Sequence, residues 1–540
     1  MEVICIALSG PICSGKSLLA DMLVEKVGAH LVKTNVLLLE AKKATKHSRI
    51  SMQRLGDHLD KETDGRWVAE GVVQRLNQLG ANQPGIFVID AVRIEKQLIA
   101  LRQAVGARVV HVHLDANDEE LARRYAKRPS KFQELSNYSQ VRSNQTERHI
   151  RQLGGIADVL IETDRCTPDD VFVRVSARLG LRFPIARAAV DVIVGGQYGS
   201  EGKGNIVHYL AKEYDVLVRV GGPNAGHKVF LPDATPYTFH QISSGALANS
   251  SAKLVLGAGA VINLKRLQKE IAELSIPYDR LAIDGQAMMI DEIDIDWETK
   301  QLKDQIASTA QGVGHATARK INGRRPDSDV RLARDVSELK HYIADTVEVL
   351  ADAVTSNKRI LLEGTQGTSL SIHHGHYPHV TSRVTSASGC IAEAGIAPTQ
   401  VRKVIMVCRV YPIRVGNTDT GKTSGYMNQE ITLEEIARRS GIDLEELLRV
   451  ERTSTTNRDR RIAEFDWAQF RRSLVLNAPT EIALTFADYI DVKNRNAYRY
   501  EQLSDRTLRF IEELEKVSGV PVTLISTQFN VRNVIDRRAW

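Results

Sequence analysis

The sequence of 540 residues is poor in cysteine, and its five cysteines lie far apart. Positions 5, 13, 166, 390 and 408 form no CxxC pair and no regular framework, so their spacing indicates neither a zinc site nor disulfide bonds. No apolar run reaches the length of a membrane span, and no basic stretch leads into an apolar core with a cleavage site. We therefore expect a cytoplasmic protein without a membrane partner.

Aromatic residues are also scarce, at 5% of the chain, and the net charge of +6 comes from dispersed basic residues. A nucleic-acid-binding surface needs clustered basic residues, with aromatic residues among them where single strands are bound. The composition therefore argues against a nucleic-acid partner and favours small phosphorylated ligands. The length predicts two or three domains, and 43% hydrophobic with 26% charged residues is typical of a globular protein.

The chain opens with a complete phosphate-binding motif. Residues 3–8 form a continuous apolar run, typical of a buried parallel strand, and residues 18–23 have a helical pattern. Residues 10–17 between them match GxxxxGK[ST]. The defining residues are Gly10, Gly15, Lys16 and Ser17. This context predicts that Lys16 reaches the outer phosphates of a nucleotide and that Ser17 holds Mg²⁺.

Later features favour a nucleotide kinase-like domain. Residues 86–90 form an apolar strand that ends in Asp90, the arrangement that positions magnesium, and Arg93 follows it. Residues 49–57 and 65–67 resemble the acceptor region of deoxynucleoside monophosphate kinases and dephospho-coenzyme A kinase-like proteins. Three further basic residues form either a lid that neutralises phosphate charge or a solvated helix face. These are Arg123, Arg124 and Arg128.

A second strand runs into a glycine-rich turn at residues 192–204. Glycines let backbone N–H groups approach an anion closely, and Lys203 adds a point charge for phosphate. The loop glycines include Gly199, Gly202 and Gly204. A further turn at residues 221–227 brings Asn224 and His227. The spacing differs from that of the first motif, and the two turns together predict a second phosphate site.

These two turns resemble the Gly-Asp-Glu-Gly-Lys-Gly loop and the Asn-Ala-Gly-His turn of the adenylosuccinate synthetase family. The resemblance extends from about residue 188 to the C-terminus. It implies an adenylosuccinate synthetase-like α/β domain over residues 188–540, and the first phosphate-binding motif predicts an N-terminal P-loop kinase-like parallel sheet over residues 1–180. In the family, the loop Asp takes a proton from a 6-oxopurine ring, and the His helps to place a phosphoryl group on the 6-oxygen. This chain has Ser200 at the Asp position and keeps the His as His227.

The resemblance implies further roles. Gln366 lies in Glu-Gly-Thr-Gln-Gly-Thr, where the family has Glu-Gly-Ala-Gln-Gly-Thr. It would lie near the reacting 6-oxygen, since an amide donates to a developing oxyanion without titrating. Arg324 or Arg325 would reach the 5′-phosphate from a partner subunit, which implies a homodimer. The other implied residues are Lys203 (catalytic), Thr309 and Thr381 (5′-phosphate), Gly226 (metal), and Gly199, Glu201, Gly202, Gly204, Asn224 and Val415 (nucleotide).

Two segments correspond to the sites for aspartate and for the phosphoryl donor. Residues 452–461 resemble the arginine-rich loop that holds L-aspartate, where guanidinium groups match a carboxylate. The implied ligands are Thr455, Thr456, Arg458 and Arg460. For the donor base, the family's Lys-Leu-Asp and Ser-Thr-Gly-Pro become Phe-Ala-Asp488 and Ser526-Thr-Gln. The donor, with Mg²⁺, is therefore either ATP or GTP.

Ser200 leaves three functions open, because a hydroxyl is a poor base near neutral pH. The first is ligation of aspartate to dGMP or GMP, as in the phage 2-aminoadenylosuccinate synthetases that this chain resembles, with the hydroxyl accepting a hydrogen bond from the 2-amino group. The second is an IMP-dependent enzyme in which Glu201 or water carries the proton. The third is a nucleotide-binding module without ligation. The purine nucleoside monophosphate with a 2-amino group is the favoured substrate.

Overall fold

The computed structural model describes residues 3–42, 49–78, 85–105, 108–127, 138–139, 145–181, 188–231, 235–418, 420–451, 459–528 and 533–538. The chain divides into two compact units, Met1–Phe183 and Pro184–Trp540. Each unit is an α/β structure, and the N-terminal unit contains a wholly parallel sheet, which confirms the predicted fold class. Among the described residues, no helix is long and apolar enough to cross a membrane.

The N-terminal unit has five parallel strands in the order β2-β3-β1-β4-β5. The strands are β1 (Ile4–Ser9), β2 (His30–Val32), β3 (Ile86–Ile89), β4 (Arg108–Asp115) and β5 (Val159–Glu162). The apolar runs predicted at residues 3–8 and 86–90 are thus two of these strands, β1 and β3. The helices are α1 (Lys16–Val27), α2 (Thr34–Lys42), α3 (Arg49–Thr63), α4 (Arg66–Gln78), α5 (Glu95–Ala104), α6 (Asp118–Ala126), α7 (Gln145–Gln152) and α8 (Pro168–Leu179).

Helices cover both faces of this sheet. The central strand β1 is accordingly apolar at every residue from Cys5 to Leu8. Cys5 and Ala7 pack in one layer with α4 and α5. Ile6 and Leu8 pack in the opposite layer with α1 and α8. A strand buried on both faces reads as a continuous apolar run, which explains the sequence pattern.

The C-terminal unit is built on a ten-stranded sheet. Its strands are β6 (Val190–Gly195), β7 (Val216–Arg219), β10 (Lys253–Leu256), β12 (Leu281–Asp284), β14 (Ile343–Ala344), β15 (Ile360–Glu363), β16 (Val401–Arg409), β20 (Glu481–Thr485), β21 (Val522–Ser526) and β22 (Val534–Asp536). They lie in the order β14-β12-β10-β7-β15-β6-β16-β20-β21-β22. Neighbours are parallel except for β21 and β22.

Three smaller sheets complete the strands of this unit. They contain β8 (His227–Phe230) with β9 (Pro236–Phe239), β11 (Val261–Ile262) with β13 (Met288–Met289), and β17 (Ile413–Val415) with β19 (Arg460–Ala463) and β18 (Glu430–Ile431). The helices are α9 (Lys203–Leu210), α10 (Leu264–Glu273), α11 (Glu292–Gln301), α12 (Lys303–Ile306), α13 (Val313–Asn322), α14 (Thr346–Thr355), α15 (Ala387–Ala394), α16 (Leu433–Ser440), α17 (Leu444–Val450), α18 (Trp467–Asn477) and α19 (Asp505–Ser518).

The parallel arrangement determines where the functional residues of this unit meet. Strand β6 lies between β15 and β16, with Ile193 opposite Glu363 and Gly195 opposite Val407. The carboxyl ends of these strands therefore face the same edge of the sheet, where α/β proteins bind ligands. The glycine-rich loop, the His227 turn and the Gln366 segment all leave the sheet at that edge.

Candidate active site

The glycine-rich loop connects the end of β6 to the start of α9. Gly199 (φ +92°), Ser200 (φ +56°) and Gly202 (φ +83°) adopt left-handed backbone conformations, which bend the chain back toward the helix. Because α9 begins at Lys203, its first N–H groups lie beside this bend, in the arrangement that attracts phosphate. Ser200 lies exposed at the tip of the loop.

Glu201 has a different position from the one expected of a ligand. Its side chain is fully buried, and Oε1 accepts hydrogen bonds from the backbone N–H groups of Gly199 (2.7 Å) and Gln197 (3.1 Å). Its Oε2 lies 2.5 Å from Lys203 Nζ. Both oxygens are thus engaged inside the loop. Glu201 holds the loop in shape, so its carboxylate does not serve as a phosphate ligand and is not placed to take a proton from a substrate.

Lys203 is buried with its ammonium group under the loop, where Glu201 balances its charge. A Cβ added at Gly195 would lie 2.7 Å from Lys203 Nζ and 2.5 Å from Glu201 Oε2. Glycine at the end of β6 is therefore what lets this ion pair lie against the strand. The ammonium group retains two further hydrogens for an anion in the loop.

His227 and Glu363 form a buried pair. His227 begins β8, Glu363 ends β15, and Nδ1 of the imidazole lies 2.5 Å from Glu363 Oε1. The same carboxylate accepts hydrogen bonds from Ser243 Oγ (2.8 Å) and Ser244 Oγ (2.6 Å), and Arg219 Nη1 lies 3.3 Å away. Since Nδ1 is engaged, Nε2 is the imidazole atom available to a ligand.

The electrostatics fix the charge state of this pair. Burial opposes ionisation of Glu363, but the charge of Arg219 and the hydrogen bond from His227 outweigh it and hold its pKa at about 2. Burial, with the nearby charge of Arg219, lowers the pKa of His227 to about 4. Near neutral pH the imidazole is therefore neutral beside a carboxylate. A polyphosphate beside Nε2 would raise the pKa of His227 and turn it into a proton donor.

A cavity of about 430 Å³ opens at this edge of the sheet. It brings together residues from the phosphate loop, the His227 turn and several more distant segments of the chain. The predicted site residues in its wall are Gly199, Ser200, Glu201, Gly202, Lys203, Gly204, Asn224, Gly226, His227, Thr309, Gln366, Thr381, Val415 and Arg460. A purine nucleotide and a small amino acid are of the size that such a cavity accepts.

Arg460 lies in this wall as part of a buried charge network. Its Nη1 donates to Glu451 Oε2 at 3.0 Å, and Glu451 Oε1 accepts from Tyr489 OH at 2.6 Å and from Arg409. Arg409 is almost fully buried, with its guanidinium 3.8 Å from the centre of the Phe486 ring. Glu451 therefore fixes the Arg460 guanidinium in the cavity wall.

Other predicted residues lie elsewhere. Among the described residues, Arg324, Asp488 and Ser526 do not line this cavity. Arg324 is exposed after α13 and donates its Nε to a backbone carbonyl, and Ser526 Oγ donates to the carbonyl of Gln528 at 2.6 Å. The predicted aspartate ligands Thr455, Thr456 and Arg458, and the predicted lid residue Arg128, lie outside the described residues.

Asp488 is buried and has only one oxygen engaged. Its Oδ2 accepts from Arg495 Nε at 3.0 Å, whereas Oδ1 is buried with no hydrogen-bond partner. Burial raises the pKa of Asp488 to about 6, although Arg495 opposes the shift. An unsatisfied buried acceptor is costly, so Oδ1 is suited to receive a hydrogen from a ligand.

The N-terminal unit carries the first phosphate motif between β1 and α1. Gly15 adopts a left-handed conformation (φ +102°) just before the helix. Lys16 Nζ donates to the carbonyl oxygens of Gly10 (2.6 Å) and Pro11 (2.8 Å), so it lies across the loop. Ser17 is exposed in the first turn of α1.

The other predicted residues of this unit lie after strand β3 and on helix α6. Asp90 follows β3, and its Oδ1 accepts from the backbone N–H (2.8 Å) and the hydroxyl (2.9 Å) of Thr34. Arg124 reaches the phosphate loop itself, with Nη1 3.3 Å from the carbonyl oxygen of Cys13. Arg93 is held through its backbone N–H by Gln97 Oε1 at 2.9 Å.

The two units differ in how well they suit Mg²⁺, which prefers oxygen ligands and usually binds through carboxylates and substrate phosphates. In the N-terminal unit, the Ser17 hydroxyl and the Asp90 carboxylate fit that preference. In the C-terminal cavity, Glu201 is engaged and Ser200 replaces a carboxylate. Gly226, the metal contact that the resemblance implies, lines this cavity. Within the described residues, no group of three or more His, Cys, Asp or Glu could hold a metal by itself.

Sequence reasoning missed the partners of the predicted residues. Glu363, Arg219 and Glu451 had no assigned role, although they set the charge state or the position of His227 and Arg460. For Glu363 a signal existed, because an apolar strand that ends in a carboxylate is the pattern used to find Asp90. For Arg219 and Glu451 no such signal existed, because Arg219 meets Glu363 and Glu451 meets Arg409 across segments far apart in sequence.

Fold and site together define an α/β enzyme that binds nucleotide phosphates at the edge of a parallel sheet. Comparison with known proteins identifies the class further. Residues 192–331 and 327–495 match the family model for adenylosuccinate synthetase, and residues 6–148 match that for an AAA domain. The adenylosuccinate synthetase of Methanococcus aeolicus is 37% identical over 355 residues, which cover 64% of this chain and 99% of the relative.

Solved structures resemble the same region. The succinoaminodeoxyadenylate synthetase of cyanophage S-2L, solved with dGMP and with dATP as an energy donor, is 28% identical, with a TM-score of 0.54 over 65% of this chain and 96% of that one. The fully ligated adenylosuccinate synthetase of Plasmodium falciparum shares the fold, with 23% identity and a TM-score of 0.53 over 65% of this chain and 100% of that one.

The chain belongs to the adenylosuccinate synthetase family and carries an additional N-terminal P-loop domain. Its C-terminal unit is accordingly a ligase of the type that joins aspartate to a purine nucleotide.

Proposed function

We propose that the C-terminal unit joins L-aspartate to the 6-position of dGMP or GMP and so forms a 2-amino-adenylosuccinate. The observation that carries the proposal is Ser200, which stands exposed in the cavity wall where the family has a carboxylate. A carboxylate at that position would sit beside the purine ring and leave less room for a 2-amino group. A hydroxyl is shorter and can accept a hydrogen bond from that group.

In this proposal, each of several cavity residues has its own role in the reaction. The purine 6-oxygen attacks the γ-phosphorus of the donor while the N1 proton leaves, and the amine of aspartate displaces phosphate from C6. Gln366 donates to the 6-oxygen as charge develops there, and Lys203 binds the transferred phosphoryl group. His227, protonated at Nε2 beside the phosphates, donates to them. Because Glu201 is engaged in the loop, water at the Ser200 hydroxyl takes the N1 proton.

The same proposal makes ATP or dATP the phosphoryl donor. A carboxylate reads guanine by accepting from two adjacent N–H groups, which needs both oxygens. Arg495 already donates to Oδ2 of Asp488, which leaves Oδ1 as the oxygen without a partner, and one unpartnered acceptor suits the single amino group of adenine. The apolar ring of Phe486 at the family's Lys position, and the dATP bound to the cyanophage synthetase, are consistent with this choice.

The functional unit in this proposal is a homodimer in which Arg324 completes the partner's site. Helices α11 and α13 pack together, and each exposes apolar side chains. The exposed fractions are 60% for Ile293, 42% for Trp297 and 53% for Ile321. Exposed apolar groups that cluster in this way mark interaction surfaces, and Arg324 is itself exposed at the end of α13.

The N-terminal unit is, in this proposal, a nucleoside monophosphate kinase with Mg²⁺ and a nucleoside triphosphate. Lys16 and Arg124 lie at the phosphate loop and would neutralise charge on the transferred group, with Ser17 and Asp90 on the metal side. The variant Lys16→Ala tests this: formation of nucleoside diphosphates from added monophosphates is lost, whereas ligation of aspartate continues.

A second acceptor, IMP, is favoured by one observation. The archaeal adenylosuccinate synthetases are 36–37% identical to this chain, against 28% for the cyanophage enzyme. The deciding experiment offers dGMP, GMP, IMP and dIMP to the purified chain with Mg²⁺, L-aspartate and either ATP or GTP. Product mass and phosphate release are followed together. A succino-adduct of dGMP but not of IMP supports the proposal; an adduct of IMP alone replaces it; and no adduct leaves a nucleotide-binding module.

A further inference from the structure

Gln366 is held from behind by three polar side chains that we call the amide clamp: Thr365, Arg383 and Glu393. Glu393 Oε1 lies 2.7 Å from Arg383 Nε. Arg383 Nη1 donates to Thr365 Oγ1 at 2.5 Å. Thr365 Oγ1 in turn donates to Gln366 Oε1 at 3.0 Å. The chain of contacts runs from a carboxylate at α15 to the amide in the cavity wall.

The clamp is buried, and the surrounding turn is shaped around it. Thr365 and Arg383 are nearly inaccessible to solvent. A Cβ added at Gly221 would lie 2.4 Å from Thr365 Oγ1 and 2.8 Å from Arg383 Nη1, and Gly221 has a positive φ of +92°. The turn that leads to His227 therefore leaves just enough room for these two side chains.

The clamp determines which end of the amide faces the cavity. The Thr365 hydroxyl has one hydrogen and two acceptors in reach, Gln366 Oε1 at 3.0 Å and the carbonyl oxygen of Val220 at 3.3 Å, and the amide oxygen is the nearer. Arg383 donates to the same hydroxyl oxygen, which polarises the O–H bond toward that acceptor. The nearby guanidinium charge also favours the carbonyl end of the amide dipole and disfavours the NH₂ end. Gln366 Oε1 is therefore turned inward, and its NH₂ group is left for the cavity.

This arrangement is a departure from the family motif, in which Ala stands where this chain has Thr365. An alanine offers no hydroxyl to the amide. A glutamine without such a partner can present either its oxygen or its NH₂ group to a purine, since the two ends are nearly equal in shape. Thr365 therefore fixes the orientation of the Gln366 amide, which an alanine at this position would leave undetermined.

We propose that the amide clamp fixes Gln366 as a hydrogen-bond donor and so makes the site select purines with an oxygen, and not an amino group, at position 6. The inference rests on the proposed function, because it takes the cavity to hold a purine nucleoside monophosphate. Thr365 and Arg383 are positioning residues in it, since they act through Gln366. If the NH₂ group of Gln366 faces a purine 6-amino group, two hydrogen-bond donors oppose each other, whereas a purine 6-oxygen accepts a hydrogen bond from that NH₂ group.

The test measures binding and does not depend on turnover. Calorimetric titration of the full chain uses two ligand pairs that differ only at position 6. These are IMP with AMP, and dGMP with the deoxynucleotide of 2,6-diaminopurine. The wild-type chain is expected to prefer the 6-oxo member by about tenfold or more. In Thr365→Val and Thr365→Ala the preference falls to within about threefold, because the amide can turn over. Thr365→Ser keeps the hydroxyl and the preference.

Two controls separate positioning from general damage. Thr346→Val removes another buried hydroxyl of the same unit, one that does not line the cavity. This hydroxyl donates to Asp284 Oδ2 at a distance of 2.8 Å. The variant should leave the 6-oxo preference unchanged. In a Gln366→Ala background, Thr365→Val should have no further effect. If Thr365→Val is unstable, Thr365→Ala, which restores the family residue, decides the question.

The outcomes are distinguishable. An unchanged preference in Thr365→Val and Thr365→Ala, with loss of preference in Gln366→Ala, overturns the clamp and leaves the proposed function standing. A wild-type chain that binds none of the four nucleotides overturns both. Loss of the 6-oxo preference in the Val and Ala variants, with recovery in Thr365→Ser, supports the inference.

Discussion

The imidazole of His227, at the start of β8, and the carboxylate of Glu363, at the end of β15, lie 2.5 Å apart although the two residues are 136 positions apart in the chain. The contact assigns the Nδ1 hydrogen and leaves Nε2 for the ligand. It also joins a residue predicted from a motif to one that was not predicted. The charge of Glu363 determines what His227 can do.

Replacement of Glu363 by Gln is expected to lower kcat for aspartate ligation by about 100-fold. The neutral amide can present its NH₂ group to Nδ1, which favours the wrong tautomer, and it no longer stabilises an imidazolium. Initial rates near neutral pH, with the KM for each substrate, measure the effect. Glu270→Gln is the matched control, because Glu270 is a buried carboxylate that accepts backbone N–H groups near residues 240–242. Equal losses in both variants would contradict the assignment.

Ser200→Asp is expected to exchange the substrate preference. The carboxylate restores a base for a 6-oxopurine without a 2-amino group and crowds the one that carries it. Activity with IMP should rise and activity with dGMP should fall, each by about tenfold or more. Ser200→Ala, which removes the hydroxyl without adding a base, should weaken dGMP binding and gain nothing with IMP. Retention of dGMP activity in the Asp variant would show that Ser200 does not select the purine.

Arg495→Gln is expected to increase the use of GTP relative to ATP. The substitution releases Oδ2 of Asp488 and also removes the charge that lowers the pKa of Asp488, so rates are compared at alkaline pH, where the carboxylate is ionised and both oxygens can accept from guanine. The ratio of kcat/KM for GTP to that for ATP should rise by about tenfold, the magnitude of one additional hydrogen bond to a charged group. The control is Arg537→Gln, which breaks an ion pair with Glu515 elsewhere in the unit. An unchanged ratio would exclude Asp488 from the donor-base site.

Mixed dimers test the contribution of Arg324 to the partner's site. Arg324→Ala and Lys203→Ala should each be inactive alone. An equal mixture allowed to exchange subunits should recover up to about a quarter of wild-type activity, because half of the dimers then hold one intact site. Ile321→Asp, on the apolar surface of α13, should shift the sedimentation coefficient toward the monomer and prevent recovery. A mixture that stays inactive while dimers persist would place Arg324 outside the site.

The stability of the N-terminal unit is expected to fall as the pH is lowered from about 6.5 toward 4. Burial, helped by the charges of His111 and Lys16, lowers the pKa of His113 to about 4. The unfolded chain therefore takes up this proton first, and folding loses about 1 kcal/mol per pH unit in that window. Urea unfolding at pH 7, 6 and 5 measures the slope. His113→Asn should flatten it, whereas the exposed His149→Asn should not; equal slopes in all three proteins would contradict the assignment.

Much of the fold could be predicted because its signals are local. Continuous apolar runs marked the buried strands, and glycines before Lys16 and Lys203 marked the turns into helices α1 and α9. The residues of the second glycine-rich loop, His227 and Gln366 do share one cavity, although their catalytic roles stay predictions. The motifs were enough to predict that these residues share one site, because each residue follows a strand of the same parallel sheet.

The residues that tune the site could not be predicted in the same way. Arg409 meets Glu451, and Arg495 takes one oxygen of Asp488, through tertiary contacts that no periodicity or motif contains. The engagement of Glu201 inside its own loop is a further case. Its position in the motif suggested a ligand, whereas the left-handed bend at Gly199 and Ser200 turns loop N–H groups onto its carboxylate. Chain geometry, and not residue type, decided its role.

Strand β6 begins the C-terminal unit, but both of its neighbours in the sheet come much later in the chain. During synthesis the glycine-rich loop would emerge long before Glu363 of β15 and Arg409 of β16, and until then it has no strand to lie against. Sheets whose neighbouring strands are remote in sequence fold slowly, and their apolar surface stays exposed until the missing strands are in place. The ligase site therefore forms late in the life of the nascent chain, whereas the N-terminal sheet can close as soon as residue 162 has left the ribosome.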